Sequence, residues 1–215
     1  MYINEKLSET PIPMSQFNII NVACIANDLL ATINDPRRRQ ILINFRDHAL
    51  AECHGDTKAL LATCSQKCQR YETFGAGDEF SDMQPQNYEQ LCAYYGALVD
   101  MNQYIIHFDC EKLIVGDDEL VIEGIVHQLL DGKFCRELHG VLGLEDNSVY
   151  QSSIRVLTIF VFDENGLGCG EQSYSTSLKA KHLTLVKPDE VPERYFSGPT
   201  KVAEFYQENP DWVRE

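Results

Sequence analysis

The chain has 215 residues, of which 44% are hydrophobic, and its 18 basic and 33 acidic side chains give a formal net charge of −15. The length suits one elaborated domain or two small ones, and the apolar fraction is sufficient for a sizeable core. A surface with this much negative charge repels nucleic-acid phosphates and anionic lipids. We therefore expect neither nucleic acid nor a membrane surface as a partner.

The amino-terminal residues and the cysteines predict a cytoplasmic protein. Residues 1–10 are polar and lack the apolar core of a signal peptide, and the stretch 17–33 is too short and too polar to span a bilayer. Several of the eight cysteines, among them Cys24 and Cys92, lie in apolar periodic runs, so we expect all eight to be reduced and most of them to be buried. The sequence has no Cys-x-x-Cys pair and no zinc-like ligand spacing, so we expect neither a metal nor a cofactor.

The first part of the chain predicts three helices. Apolar residues at helical spacing indicate a helix over 15–33. A second helix over 36–53 follows Asp35, whose carboxylate can cap the first turn, and Gly55 ends it. Asp56 can cap a third, short helix that extends to about residue 64.

The rest of the chain is mostly extended. Asn87, with Gln90 three residues later, resembles a capping box at the start of one more helix. The other predicted elements are a strand over 69–74, a loop over 75–86, strands over 103–114 and 118–130, a loop or strand pair over 132–147, and a short helix near 201–207.

The segment 152–175, which reads SSIRVLTIFVFDENGLGCGEQSYS, predicts a β-hairpin. Two extended runs flank Asn165 and Gly166, and both residues tolerate the positive φ that a tight turn needs. Helices first and antiparallel strands last indicate an α+β fold, with helices packed across the concave side of a curved sheet. The predicted parts are an extension with a helix over 1–34, the main domain over 35–180 and a tail over 181–215.

Three pieces of the chain, in their order and spacing, resemble the nuclear-transport-factor-2-like superfamily, in particular its SnoaL-like members. They are RRRQILINFRDHALAECHGDTKALLATCS, YETFG and FDENGLGCGEQSYS, within residues 36–178. The resemblance implies a cone-shaped, cystatin-like α+β fold, a homodimer, and a pocket for a small apolar or aromatic molecule. The superfamily includes isomerases, dehydratases, polyketide cyclases, epoxide hydrolases and non-catalytic binding modules, so the fold alone does not give the function.

The same resemblance points to particular site positions. Ketosteroid isomerases of this superfamily use a helix tyrosine, a base aspartate on the short strand and a protonated aspartate on the first hairpin strand. Here the corresponding positions are His48, then Glu72 or Thr73, and finally Thr158, which can donate a hydrogen bond but is not a carboxylic acid. SnoaL-like cyclases often carry an aspartate after a tyrosine of the final strand, whereas no carboxylate follows Tyr174 here.

The candidate catalytic residues are His48, Glu72 and Glu171. His48 lies on one helical stripe with Phe45, so it points inward, where an imidazole near its ordinary pKa exchanges protons around neutrality. Either glutamate becomes a general base if the pocket desolvates it and raises its pKa. The competing interpretation is a hydrogen-bonded core histidine beside two surface carboxylates.

The residues expected to contact the ligand lie on the short strand, the fourth helix and the hairpin. They are Tyr71, Thr73, Tyr95, Thr158, Phe160 and Tyr174. Because strand side chains alternate between faces, the residue count of the hairpin turn decides which of them face the pocket. An even count places Glu171 on the face of Thr158, whereas a three-residue turn with a bulge places Gln172 and Tyr174 there.

Three further residues lie outside this predicted site. Arg155 faces away from Thr158, so we expect it to pair with an acidic neighbour or a partner subunit rather than with the substrate. His107 and Asp109 share a strand face, but without a third ligand at suitable spacing we predict no metal there.

Two hypotheses about function follow. The first is a cofactor-free isomerase, dehydratase or cyclase that acts by proton transfer on an apolar or aromatic substrate. The alternative is a non-catalytic ligand-binding or dimerisation module. The first predicts an open cavity shared by His48 and a carboxylate, and the second predicts a cone filled by Phe74, Phe160 and the tyrosines.

Overall fold

A computed structural model describes residues 1–76 and 84–212 of the chain. The helices of this part are α1 (Asn21–Leu30), α2 (Pro36–His54), α3 (Thr57–Ala62), α4 (Tyr88–Asp100), α5 (Gly132–His139), α6 (Glu193–Phe196) and α7 (Val202–Glu208). The strands are β1 (Tyr2–Ile3), β2 (Arg70–Phe74), β3 (Ile106–Val115), β4 (Glu119–Asp131), β5 (Val149–Phe162), β6 (Gly168–Tyr174) and β7 (Leu183–Leu185). Single 3-10 turns lie at Met14–Gln16 and Ala180–His182.

All seven of these strands belong to one sheet with the order β1-β3-β4-β5-β6-β2, and β7 pairs with the first part of β5. The pairs β3–β4, β4–β5 and β5–β6 are antiparallel, whereas β2 runs parallel to β6. The helices α1 and α2 pack against β3, β4 and the hairpin through a shared apolar cluster. This arrangement confirms the predicted α+β fold with a curved sheet around helices.

Helix α2 forms where its end signals predicted it. The Asp35 carboxylate accepts a hydrogen bond from the Arg38 backbone N–H at 2.9 Å, and Pro36 fills the first helical position. Gly55 ends the helix at φ +63°, a conformation that glycine adopts without a Cβ penalty. The predicted α3, α4 and α7 also form, and the Asn87 side chain caps α4 through the Gln90 backbone N–H at 2.9 Å.

Two predictions of secondary structure are wrong. The segment 15–33 is not one helix, because α1 begins only at Asn21, after a 3-10 turn. The segment 132–147, predicted as a loop or a strand pair, begins with α5, and only its second half is a loop. The signals of α5 are Asp131, which accepts from the Phe134 backbone N–H at 2.7 Å, and Gly140 at φ +64°. The predicted loop over 75–86 lies partly outside the described residues.

The expectation that all eight cysteines are reduced is wrong for one pair. Cys68 and Cys169 form a disulfide with a Cα–Cα separation of 5.1 Å. The cause is the parallel pairing of β2 with β6, which places Arg70 opposite Gly170. Sequence spacing does not reveal a contact between residues 101 positions apart. The other six cysteines are free thiols, and Cys53, Cys64, Cys110 and Cys135 are buried.

The amino-terminal segment covers the outer face of the sheet. Ile12 exchanges two hydrogen bonds with the Gln151 side chain, at 2.8 and 3.1 Å. As predicted, Arg155 pairs with acidic neighbours, with Glu111 at 2.6 Å and Glu123 at 3.3 Å, and it also donates to the Leu7 carbonyl. In the described part of the chain, none of the helices has the length and apolar character that crossing a membrane requires.

We expect Gly170→Ala to lower the free energy of unfolding by more than about 2 kcal/mol. Gly170 has φ +146°, and a Cβ at this position would overlap the backbone of Arg70 in the neighbouring strand. Gly96 offers a matched control, because it lies inside α4 with open space around its Cα. Gly96→Ala should raise the free energy of unfolding by about 0.5–1 kcal/mol, because alanine favours a helix more than glycine does. Urea denaturation of both variants measures the difference, and equal effects would contradict the close β2–β6 approach.

Candidate functional site

A cavity of about 180 Å³ lies between the helices and the inner face of the sheet. Most of its wall is apolar, and its histidine, threonine and glutamate side chains come from α2, β5 and β6. The lining residues are Ile19, Val22, Phe45, His48, Ala49, Glu52, Cys53, Tyr104, Ile106, Phe108, Ile122, Val126, Val156, Thr158, Phe160 and Glu171. The cavity required by the enzyme hypothesis is therefore present.

Two carboxyl groups, one from each side, face this cavity. Glu52 belongs to α2 and Glu171 to β6. Burial raises the pKa of Glu52 to about 7. Burial, and then repulsion from Glu52, raises the pKa of Glu171 to about 8. Both shifts follow from desolvation, which disfavours a charged carboxylate, and they bring both groups into the range useful for proton transfer at neutral pH.

His48 is held by hydrogen bonds on both ring nitrogens. The Thr63 hydroxyl donates its proton to the Leu60 carbonyl at 2.6 Å, so its oxygen accepts from His48 Nδ1 at 2.8 Å. This places the proton of the neutral ring on Nδ1 and leaves Nε2 as an acceptor, 3.1 Å from the Tyr95 hydroxyl. Burial lowers the pKa of His48 to about 4. The prediction from the sequence that this imidazole exchanges protons around neutrality is therefore wrong.

The Tyr95 hydroxyl joins His48 to Glu171. It lies 3.2 Å from Glu171 Oε1 and 3.0 Å from the Tyr71 hydroxyl. A phenol carries only one proton to donate, so Tyr95 can donate either to His48 Nε2 or to the Glu171 carboxylate. When Glu171 is protonated, its own O–H can donate to Tyr95, which then donates to His48. The network therefore accommodates both protonation states of Glu171.

Solved structures of very different sequence share this architecture. No protein-family model and no curated protein matches the chain. A SnoaL-like protein of Shewanella putrefaciens CN-32 matches with a TM-score of 0.52 at 12% identity, over 74% of this chain and 89% of the other. The chain has the SnoaL-like fold. This confirms, at the level of the fold, the resemblance found in the three sequence pieces.

Two further matches have TM-scores of 0.48. One is a SnoaL-like protein of Jannaschia sp. CCS1, at 16% identity over 66% of this chain and 90% of the other. The other is a Mycobacterium tuberculosis protein in complex with estradiol-17beta-hemisuccinate, at 15% identity over 67% of this chain and 98% of the other. At this level of identity the comparisons show the fold alone.

The hairpin of this SnoaL-like fold has the register that turns Glu171 inward. Thr158 pairs with Ser173, and their hydroxyl oxygens are 3.1 Å apart. The five residues 163–167 form the turn, and Cys169 is an extra, unpaired residue between Gly168 and Gly170. Five turn residues and one bulged residue make an even number. The first of the two alternatives is therefore the one that occurs, and Glu171 shares the face of Thr158.

Three predicted site residues, Glu72, Thr73 and Tyr174, lie around the cavity rather than in its wall. Glu72 contacts Arg70 at 2.6 Å and Gln172 at 3.2 Å. Thr73 pairs with Ser173 in the neighbouring strand. Tyr174 is 43% exposed and stacks on Phe74 with ring centroids 4.8 Å apart.

The remaining predicted residues are closer to the chemistry. Thr158 and Phe160 line the cavity. Tyr95 hydrogen-bonds Glu171, and Tyr71 hydrogen-bonds Tyr95. The structure thus brings together His48, Glu171 and four of the six predicted ligand residues. It places Glu72, Thr73 and Tyr174 outside the cavity wall that the described residues form.

Sequence reasoning missed Glu52. The signal was available, because residue 52 is four positions after His48 and seven after Phe45, on the same stripe of α2. A glutamate on the inward stripe of a buried helix is uncommon without a partner. It therefore identifies a functional candidate by the same periodicity that identified His48.

Potential metal ligands lie elsewhere in the fold. The Asp109 carboxylate bridges His107 at 2.8 Å and His127 at 3.3 Å on the outer face of the sheet, and His107 Nδ1 accepts from the Asn18 backbone N–H at 2.9 Å. Among the described residues, one group has its possible ligand atoms within 4.8 Å of one another, namely Cys68, Asp163 and Cys169. Two of these atoms are the sulfurs of the disulfide, so in this state they are not free ligands.

We expect Glu52→Gln to lower the pKa of Glu171 below about 8 while leaving it above its ordinary value. The substitution removes the repulsion from a second carboxylate but not the burial. Carbon-13 NMR titration of the glutamate carboxyls measures the change. Glu72→Gln is the matched control and should leave the titration unchanged, because Glu72 lies outside the cavity wall. Equal shifts in both variants would contradict a shared Glu52–Glu171 environment.

Proposed function

We propose that the protein is a cofactor-free enzyme that moves protons on a small, mostly apolar molecule, as an isomerase, dehydratase or cyclase does. The observation that carries this proposal is the pair Glu52 and Glu171, two carboxyls with raised pKa that face one apolar cavity from opposite sides. Paired carboxyls with separated pKa values are a recurrent arrangement for general acid and base catalysis.

The pair holds about one proton near neutral pH. Loss of the first proton creates a charge that opposes loss of the second, so the pair titrates in two steps. A protonated Glu171 can donate to the Tyr95 hydroxyl, whose own proton then goes to His48 Nε2, so the hydrogen-bond network favours the shared proton on Glu171. Glu52 then serves as the base and Glu171 as the acid.

The proton transfer needs no oxidant and no external cofactor. The Glu52 carboxylate takes a proton from the carbon next to a substrate carbonyl, and the electron pair of the broken C–H bond moves into the enolate. The Glu171 O–H turns from Tyr95 and donates a hydrogen bond to the developing enolate oxygen, and the Tyr95 hydroxyl then donates to the Glu171 carboxyl. Return of the proton from Glu52 to a different carbon isomerises the substrate, and loss of a leaving group instead gives elimination.

His48 and Tyr95 act through Glu171 in this proposal. The Nδ1–H bond to Thr63 orients the ring, and the contact with Nε2 holds the Tyr95 hydroxyl oxygen 3.2 Å from Glu171 Oε1. His48 is therefore a positioning residue whose neutral state keeps extra charge out of the cavity. Its low pKa supports this role better than that of a proton donor at neutral pH.

The alternative of a non-catalytic module has less support from the packing. That alternative predicts a cone filled by aromatic side chains, but Phe74 lies at the exposed sheet edge, and Phe160 borders the cavity without closing it. The homodimer and the cytoplasmic location expected from the sequence stay predictions.

The test is solvent exchange of carbon-bound protons. Incubation of the protein in D₂O with a panel of small cyclic ketones and enones, followed by proton NMR, should show catalysed loss of the signals next to the carbonyl. Glu52→Gln should lower the rate by about 10²–10⁴-fold because it removes the base. Glu171→Gln should lower it less, because the amide N–H still donates to the oxygen.

Glu72→Gln is the control for this experiment. It alters a carboxylate of the same sheet whose contacts are Arg70 and Gln172, so the exchange rate should stay unchanged. Loss of exchange in Glu72→Gln together with full exchange in Glu52→Gln would reverse the assignment of the base. Ligand binding without exchange in the wild-type protein would favour the non-catalytic module.

A further inference from the structure

We propose that the cavity accepts an uncharged carbonyl compound of single-ring size and discriminates against carboxylates, phosphates and multi-ring molecules. This inference names the substrate class of the proposed enzyme and in that respect rests on the proposed function. It is carried by the volume of the cavity, by the charge of its wall and by the packing of its aromatic side chains.

The volume limits the size of the occupant. The cavity measures about 180 Å³. An apolar cavity of about 150 Å³ in another protein is known to hold benzene, so this cavity matches one ring with a small substituent. A fused multi-ring molecule adds the volume of at least one further ring, for which this cavity leaves no space.

Aromatic packing keeps the volume from expanding. Phe160 of β5 makes an edge contact with Phe45 of α2, with ring centroids 5.0 Å apart, and a second one with His48 at 6.3 Å. His48 is in turn held by Thr63 and Tyr95. A larger ligand would have to separate α2 from the sheet, which would break these contacts and part of the shared apolar cluster.

The charge of the wall limits the ligand's charge. Its titratable side chains include Glu52, Glu171 and His48, and neither lysine nor arginine occurs among the described residues of the wall. An anionic ligand would have no cation to pair with and would be repelled by any ionised carboxyl, in addition to its own desolvation cost. A carbonyl oxygen needs only a hydrogen-bond donor, which a protonated carboxyl supplies.

The polar groups also indicate what the ligand presents. A carbonyl group that reaches the Glu171 carboxyl leaves the neighbouring carbon on the side of Glu52, while the apolar residues of α1, β3 and β4 enclose the rest of the molecule. Apolar rings with one or two polar groups are the usual occupants of such sites. A cyclic ketone or enone has this pattern.

The experiment compares the binding of three probes to the wild-type protein by isothermal titration calorimetry. The probes are 2-cyclohexenone, benzoate as an anion of similar size, and estrone as a four-ring ketone. We expect cyclohexenone to bind and benzoate to bind at least about 100-fold more weakly, because benzoate would bury a charge that no cation in the described part of the wall compensates. Estrone should show no binding that cyclohexenone displaces.

Two variants tie the outcome to the cavity wall. The double variant Glu52→Gln with Glu171→Gln removes both acidic groups. The ratio of cyclohexenone affinity to benzoate affinity should therefore decrease by a factor of about ten or more. Phe160→Ala enlarges the cavity and should admit 1-tetralone, a two-ring ketone, with circular dichroism as the check that the variant is folded. Arg155→Ala changes a charge on the outer face and is the control for both, because the preference should stay as in the wild type.

Benzoate binding as tight as cyclohexenone, displacement of cyclohexenone by estrone, or no binding of any probe would overturn the inference. These outcomes are distinct from failure of the proposed function. Selective cyclohexenone binding without proton exchange would leave the inference intact and retire the enzyme. Proton exchange on anionic or multi-ring ketones would support the enzyme and overturn the inference about its substrate class.

Discussion

Cys169 is an extra, unpaired residue where β6 pairs with β5. This bulge determines which face of the sheet each later side chain of β6 points to. Without this bulge, the five-residue turn would place Glu171 outside and Gln172 inside. Gly170 makes the bulge possible, since it adopts φ +146° against the Arg70 backbone. The candidate acid therefore depends on a feature of strand pairing rather than on its own neighbours in sequence.

The inward position of Glu171 has an energetic consequence. Burial of two carboxyls in one apolar cavity opposes their ionisation, and this destabilises the charged forms of the folded protein. For each of these glutamates the folded-state pKa lies above the ordinary value. The stability that each contributes is therefore present below the ordinary pKa and is lost as the pH rises through the folded value. The Tyr95 hydroxyl offsets only part of the cost, through one hydrogen bond to Glu171. A site with raised carboxyl pKa values thus trades stability for acid and base groups that operate near neutral pH.

The fold of this protein does not by itself determine its chemistry. The SnoaL-like fold provides the cone and the cavity, but the side chains decide the reaction. At the position of a helix tyrosine the chain has His48, and at the position of a protonated acid it has Thr158. The carboxyl pair is instead formed by Glu52 and Glu171, which come from α2 and β6. The acid and base groups therefore occupy different elements, and the volume available for a ligand is small.

The sequence by itself determined the elements whose signals are local. Asp35, Pro36 and Gly55 bound α2, the helical stripe turns His48 inward, and Asn165 with Gly166 marks the hairpin turn, because caps and turns depend on residues a few positions apart. Local signals of the same kind, at Asp131 and Gly140, bound α5.

Only the tertiary structure decided the parallel pairing of β2 with β6, the Cys68–Cys169 disulfide and the face of Glu171, because these depend on residues far apart in the chain. It also decided the protonation states. A pKa shift depends on how completely the surrounding elements exclude water, and no pattern within a single segment of sequence contains that information.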